Sequence, residues 1–211
     1  MRISKEQRNY KPLVPSNYKP FDEMSEAEAK TYFNWFVSQV DERAEYIRHK
    51  AAIYLDIDIN MIDFSLESLK HIWKWFLCIA EIDKTPMRKL RQIRRELAST
   101  YPKESINDML SEFRYDLNTF TRMVILDVGM YVGKTFVSNY PQLKWGYRRD
   151  RPSFINQPQI IGFIDDAYNP PFKPDFVPNH IVDMVAGNLF DNTQNENDLY
   201  DICIKWVRLI P

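Results

Sequence analysis

All five glycines of this 211-residue chain, Gly129, Gly133, Gly146, Gly162 and Gly187, lie beyond residue 128. Glycine enters the left-handed backbone region without steric cost, so the first 128 residues have to be built from elements that need no such turn residue. Helices joined by short polar links meet that condition. A chain of this length buries about 70% of its unfolded surface, and its core needs no disulfide or metal staple. Hydrophobic residues at 45% and charged residues at 27% fit an ordinary globular protein rather than a disordered one.

Periodicity fills in the elements. "SEAEAKTYFNWFVSQV" opens with Ser25 and, three residues on, Glu28, the pattern of a capping box. It sets Tyr32, Phe33, Phe36, Val37 and Val40 on one stripe. Asp41 stands where it can cap a second helix running through Ile47, Ala51 and Tyr54. "SLESLKHIWKWFLCIAEI" repeats the helical spacing at Leu66, Leu69, Ile72, Trp73, Phe76 and Leu77. "TPMRKLRQIRRELA" starts with Thr-Pro in the cap and first-turn positions, and its spacing predicts burial of Met87, Leu90, Ile93 and Leu97. "LKWGY" and "QIIGFI" predict two short strands, a hairpin near 143–164, and "VPNHIVDMVAGNLF" and "NDLYDICIKWVRLI" predict two closing helices. Residues 1–24, rich in proline and carrying the repeat "NYKPLVPS", "NYKPFDEM", predict an extended arm laid over the surface. The expected architecture is α+β, mainly α. The arm precedes one helical domain over 25–211, with helices through residue 139 and a small antiparallel hairpin in the C-terminal third.

Two stretches imitate binding loops. In "DVGMYVGKTF", residues 127–136, three residues separate the glycines where a phosphate-binding loop has four, and only six residues lie between Lys134 and Pro141. The segment fits a helix instead, with Leu117, Phe120, Val124, Ile125, Val128, Tyr131, Val132 and Phe136 on one arc and Met123, Leu126 and Met130 outside it. A helix apolar nearly all round belongs at the centre, and Gly129 and Gly133 would let a neighbour approach closely. In "DIDINMIDFSLE", residues 56–67, Asp56, Asp58, Asn60 and Glu67 match positions 1, 3, 5 and 12 of a calcium loop. Met61 occupies the position that demands glycine, so a loop whose Asp63 and Ser65 cap the next helix is the better expectation.

The function classes narrow accordingly. A net charge of -1 gives no global field toward nucleic acid or anionic lipid, so only a local patch could act there. Cys78 and Cys203 sit in apolar helical patterns and are expected as buried free thiols. The first residues, "MRISKEQRNY", have no apolar signal core, no 18-residue apolar run occurs, and a cytoplasmic location is expected. His49, His71 and His180 form no ligand motif, no serine or cysteine carries a nucleophile signature, and no cofactor or metal is called for. The segment richest in exposed chemistry is "PQLKWGYRRDRPSFINQ". Trp145, Tyr147, Arg148, Arg149 and Arg151 combine planar cations with aromatic rings, the mix that grips an anion or a protein partner. A second basic surface, Arg88, Lys89, Arg91, Arg94 and Arg95, lies opposite an apolar stripe, as a solvated helix face would.

"LDIDINMIDFSLESLKHIWKWF" and "ILDVGMYVGKTF", the latter ahead of a tryptophan-containing strand, resemble uncharacterised bacterial cytosolic proteins, some of them candidate immunity factors of toxin systems. The resemblance implies a helical protein with a small sheet and no assigned chemistry. The expected function is a non-enzymatic binding protein that holds another protein, with immunity by direct contact as the form the resemblance implies. The alternatives are a nucleic-acid or phosphoryl-processing enzyme using the basic loop with Asp165 and Asp166, and a structural homo-oligomeric subunit.

Overall fold

The Ser25–Glu28 pair starts the longest helix. In the computed structural model, which describes residues 9–15 and 19–211, Ser25 Oγ accepts the Glu28 N–H while the Glu28 carboxylate accepts the Ser25 N–H at 2.8 Å. The backbone bond from Ser25, followed by its side-chain bond and Lys19, holds the Glu28 carboxyl down at about 2. Helix α1, Glu26–Leu55, then runs unbroken through Asp41. Asp41 starts no second helix; it is exposed and pairs with Lys134 at 3.0 Å. The helix ends at Asp56 with φ of 52°, and Phe64 follows with φ of 63°. Contrary to expectation, the glycine-free part does enter the left-handed region. Aspartate tolerates it locally. Phe64 is held there by Tyr131, whose hydroxyl accepts its N–H and whose ring stacks at 4.9 Å, and by Asn139, which donates to its carbonyl at 2.7 Å. Such strain costs about 1–3 kcal/mol and persists only where the surroundings enforce it.

Of the two expected caps only Ser65 reaches α2, Ser68–Ile79: its Oγ accepts the Ser68 N–H, whereas the Asp63 carboxylate accepts the Ser65 N–H in the turn before the helix, and the N-cap position itself falls to Glu67, which makes no side-chain cap. Trp73, Trp75 and Phe76 of α2 are buried, and the Trp73 indole donates to the Asn195 carbonyl at 3.0 Å. Cys78, however, faces solvent, because it falls on the outer side of α2; Cys203 is buried as expected, and burial pushes its thiol well up.

The helical run through residue 139 is interrupted by a strand pair that the sequence pattern did not announce. β1, Ile82–Lys84, and β2, Tyr115–Leu117, are antiparallel with Ile82 opposite Leu117 and Lys84 opposite Tyr115. Three residues per strand are too few for alternation to register. Between them stand α3, Met87–Ala98, and α4, Lys103–Glu112. α3 buries none of its residues, and Met87 is 64% exposed, so the predicted burial of Met87, Leu90, Ile93 and Leu97 does not occur. Its main packing partner is α4, which itself buries Ile106 alone among the described residues.

Helix α5, Thr119–Asn139, is the enclosed centre. On one side Met130 packs among Tyr32, Phe36 and Val40 of α1; on the other Val124, Val128 and Phe136 join the larger core with α2 and the closing helices α6, Pro178–Ala186, and α7, Asp198–Val207. Its glycines are contact points. A Cβ on Gly129 would sit 1.8 Å from the Asn179 side chain, and one on Gly133 would sit 2.1 Å from the Trp145 ring. β3, Lys144–Gly146, and β4, Gln159–Ile161, form the expected antiparallel pair, with Trp145 opposite Ile160. Among the described residues seven α-helices and two small strand pairs make an α+β fold that is mainly α, and no helix is long and apolar enough to cross a membrane.

Candidate interaction surfaces

Of Trp145, Tyr147, Arg148, Arg149 and Arg151 the structure joins Arg148 and Arg151 at a shared Asp175, and the chemistry of all five is spent inside the chain. β3 lays Trp145 into the notch left by Gly133, with Phe36 against it edge-on at 5.3 Å. Tyr147 packs on Phe33 at 5.1 Å. Arg148 forks onto Asp150 at 2.6 and 3.0 Å and reaches Asp175 at 3.2 Å. Arg149 pairs with Glu26 at 2.8 Å, and Arg151 lies over the Phe172 ring at 4.8 Å with Asp175 3.9 Å away. Hydrogen bonding to Asp150 raises the Arg148 pKa, and the same bond brings the Asp150 carboxyl down to about 2. Asp165, the acid considered beside this loop, accepts the Ala167 N–H, and its backbone bridges to Phe172.

The α3–α4 hairpin presents the opposite case. Residues 85–114 hold seven basic and four acidic side chains, a net of +3 on a chain whose total is -1. Lys89 pairs with Asp116 of β2, and Arg94 donates to the neutral Asn107 at 2.6 Å. Arg88, Arg91, Arg95 and Arg114 make no ion pair among the described residues, and all four are exposed. A cleft of about 480 Å³ opens between the two helices, with Met87, Leu90 and Leu110 on its floor and Arg91, Arg94 and Arg114 around it.

A third charged group, missed in the sequence, lies in the core. Asp127, in the middle of α5, is fully buried. Arg43 of α1 grips it with two bonds of 2.9 and 2.6 Å, the Tyr10 hydroxyl donates to it at 2.7 Å, and the Leu13 N–H donates at 3.2 Å. The same guanidinium donates to the Lys11 carbonyl at 2.8 Å. Burial opposes the Arg43 charge, but the hydrogen bond and attraction of Asp127 prevail and raise its pKa; burial and the Asp127 charge raise that of Tyr10. The arm therefore sinks Tyr10 into the core instead of lying only on the surface. Tyr18, its counterpart in the repeat, falls outside the described residues. One acid within "ILDVGM" was the available signal. Both Asp127 oxygens are occupied by the chain's own donors, which makes the group an anchor for the arm.

Comparison with protein-family models, curated proteins and solved structures finds no match to the chain. Among the described residues no three His, Cys, Asp or Glu side chains converge as metal ligands.

Proposed function

We propose that this chain is a non-enzymatic binding protein that works by holding another protein, and that the α3–α4 hairpin makes the contact. One observation supports the reading above the rest: α3 buries nothing, yet it carries three arginines that no carboxylate among the described residues neutralises. An unneutralised guanidinium keeps its field and its forked donors for an incoming carboxylate. The arginines at 148, 149 and 151 are the competing surface, but each would exchange an existing ion pair for a new one. Neutralising a toxin by contact is the form of this function that the bacterial resemblance implies. An exposed free Cys78 fits the reducing cytoplasm that this reading assumes.

The hairpin can be removed cleanly. The Thr85 N–H donates to the Arg114 carbonyl at 2.9 Å, so those two residues already face each other and an Asn-Gly turn can replace residues 86–113. Tagged full chain and the shortened variant are used to capture ligands from a lysate of the cells that make the protein. The expected result is one stoichiometric protein retained by the full chain and lost by the variant. Equal capture by both, or capture of nucleic acid alone, overturns the proposal.

A further inference from the structure

The cleft of the hairpin restricts what can enter it. At about 100° per residue, Met87, Leu90, Arg91 and Arg94 share the cleft side of α3, with Arg88 and Arg95 on its outer flank. On α4, Leu110 faces the cleft, and Glu104, Asp108 and Glu112 form an exposed stripe at four-residue spacing on the outer flank. The groove thus has an apolar floor and a basic lining, Arg91 and Arg94 from α3 and Arg114 just past α4, with the neutral Asn107 and Ser111 as the polar residues on the α4 side.

Resting on the protein-holding reading above, we infer that this cleft docks an amphipathic helix of the partner. That helix carries an apolar ridge at helical spacing flanked by acidic residues that meet Arg91, Arg94 and Arg114. Charge complementarity selects this occupant. Apolar anchors at i, i+3 or i+4 and i+7 are how a helix enters a groove floored by Met87, Leu90 and Leu110, and the unbranched Met87 side chain can repack around different shapes. A nucleic acid presents a phosphate backbone without an apolar ridge, so it would leave the floor of Met87, Leu90 and Leu110 unfilled.

The probe is a labelled synthetic peptide of about 18 residues, five helical turns, with a leucine ridge, glutamates on both edges of the ridge and lysines on the far face. Its control has the same composition with the ridge scrambled. Fluorescence anisotropy with the full chain should give binding at least about tenfold tighter for the ridge peptide, weakening as salt rises from about 0.05 to 0.5 M. Leu110→Asp and the double change Arg91→Glu with Arg94→Glu should each cost about tenfold or more, with the circular dichroism spectrum unchanged. The double change touches no buried residue, so it remains informative if Leu110→Asp disturbs the hairpin. Equal binding of the two peptides, indifference to the double change, or tighter binding of a single-stranded oligonucleotide overturns the inference. If capture from lysate depends on the hairpin while the peptide fails, the protein-holding reading stands and the cleft assignment falls. If capture survives removal of the hairpin, the reading itself falls.

Discussion

Arginine is treated in opposite ways in two regions of this molecule. In the body, Arg43, Arg148, Arg149 and Arg151 each meet a carboxylate of their own chain. On α3, Arg88, Arg91 and Arg95 meet none among the described residues. The difference shows that an arginine-rich stretch is not in itself a binding surface; what matters is whether the fold has already used the charge. Buried charge must be paired because desolvation is costly, whereas an exposed guanidinium can remain uncommitted in water at little cost.

The comparison breaks most visibly at Asp127. Asp127→Asn leaves the Arg43 charge buried without its counter-ion, which should cost about 3–5 kcal/mol. At about 2–4 °C per kcal/mol for a chain of this size, the melting temperature should drop by roughly 10 °C. A change of a degree or so in a thermal melt would show that Arg43 and Asp127 are not the lock described.

Gly133→Ala probes how firmly Trp145 is committed to the fold. The new Cβ would overlap the indole, an overpacking cost of about 1–3 kcal/mol against about 1 kcal/mol gained in helix propensity. Net destabilisation in a denaturant titration is expected, and a gain in stability would free Trp145 from the core and return it to the exposed surface.

The two arginine sets can be compared directly. Replacing Arg88, Arg91 and Arg95 with alanine should leave the melting temperature within about 1 °C, since nothing in the fold depends on them. Replacing Arg148, Arg149 and Arg151 should lower it by about 2 °C, because exposed pairs contribute little individually. Equal effects would erase the distinction.

The smallest effect is on pH. The Asp150 carboxyl lies at about 2 in the fold, below the ordinary value of about 3.9. Because the folded value is depressed, its pairing with Arg148 stabilises the loop fully above pH 4 and is lost as pH falls toward 2. An NMR titration following the Asp150 carboxyl should show this. A midpoint near 4 would mean the loop arginines are as uncommitted as those of α3.

These predictions also mark how far the sequence could be read. The main helices were legible because periodicity and the Ser25–Glu28 cap act locally. The Gly133 notch was legible because glycine in an apolar helix implies a close neighbour. The β1–β2 pair was not, since three-residue strands carry no usable alternation. The exposure of α3 was hidden for another reason: its apolar stripe is genuine but packs chiefly on the short α4, which leaves no residue of α3 buried. The Arg43–Asp127–Tyr10 lock joins residues 84 and 117 positions apart, and only tertiary packing brings them together. Of the 148–151 arginines, Arg148 meets the local Asp150, whereas the pairs Arg149–Glu26 and Arg151–Asp175 join segments that no local pattern connects.

The most direct test of the central claim sets the two triple-alanine variants side by side in capture from cell lysate, with melting curves as the folding control. The account predicts that the variant lacking Arg88, Arg91 and Arg95 loses the protein partner while the variant lacking Arg148, Arg149 and Arg151 keeps it. The reverse pattern, partner lost only with the 148–151 arginines, would contradict it and place the contact on the aromatic–arginine loop.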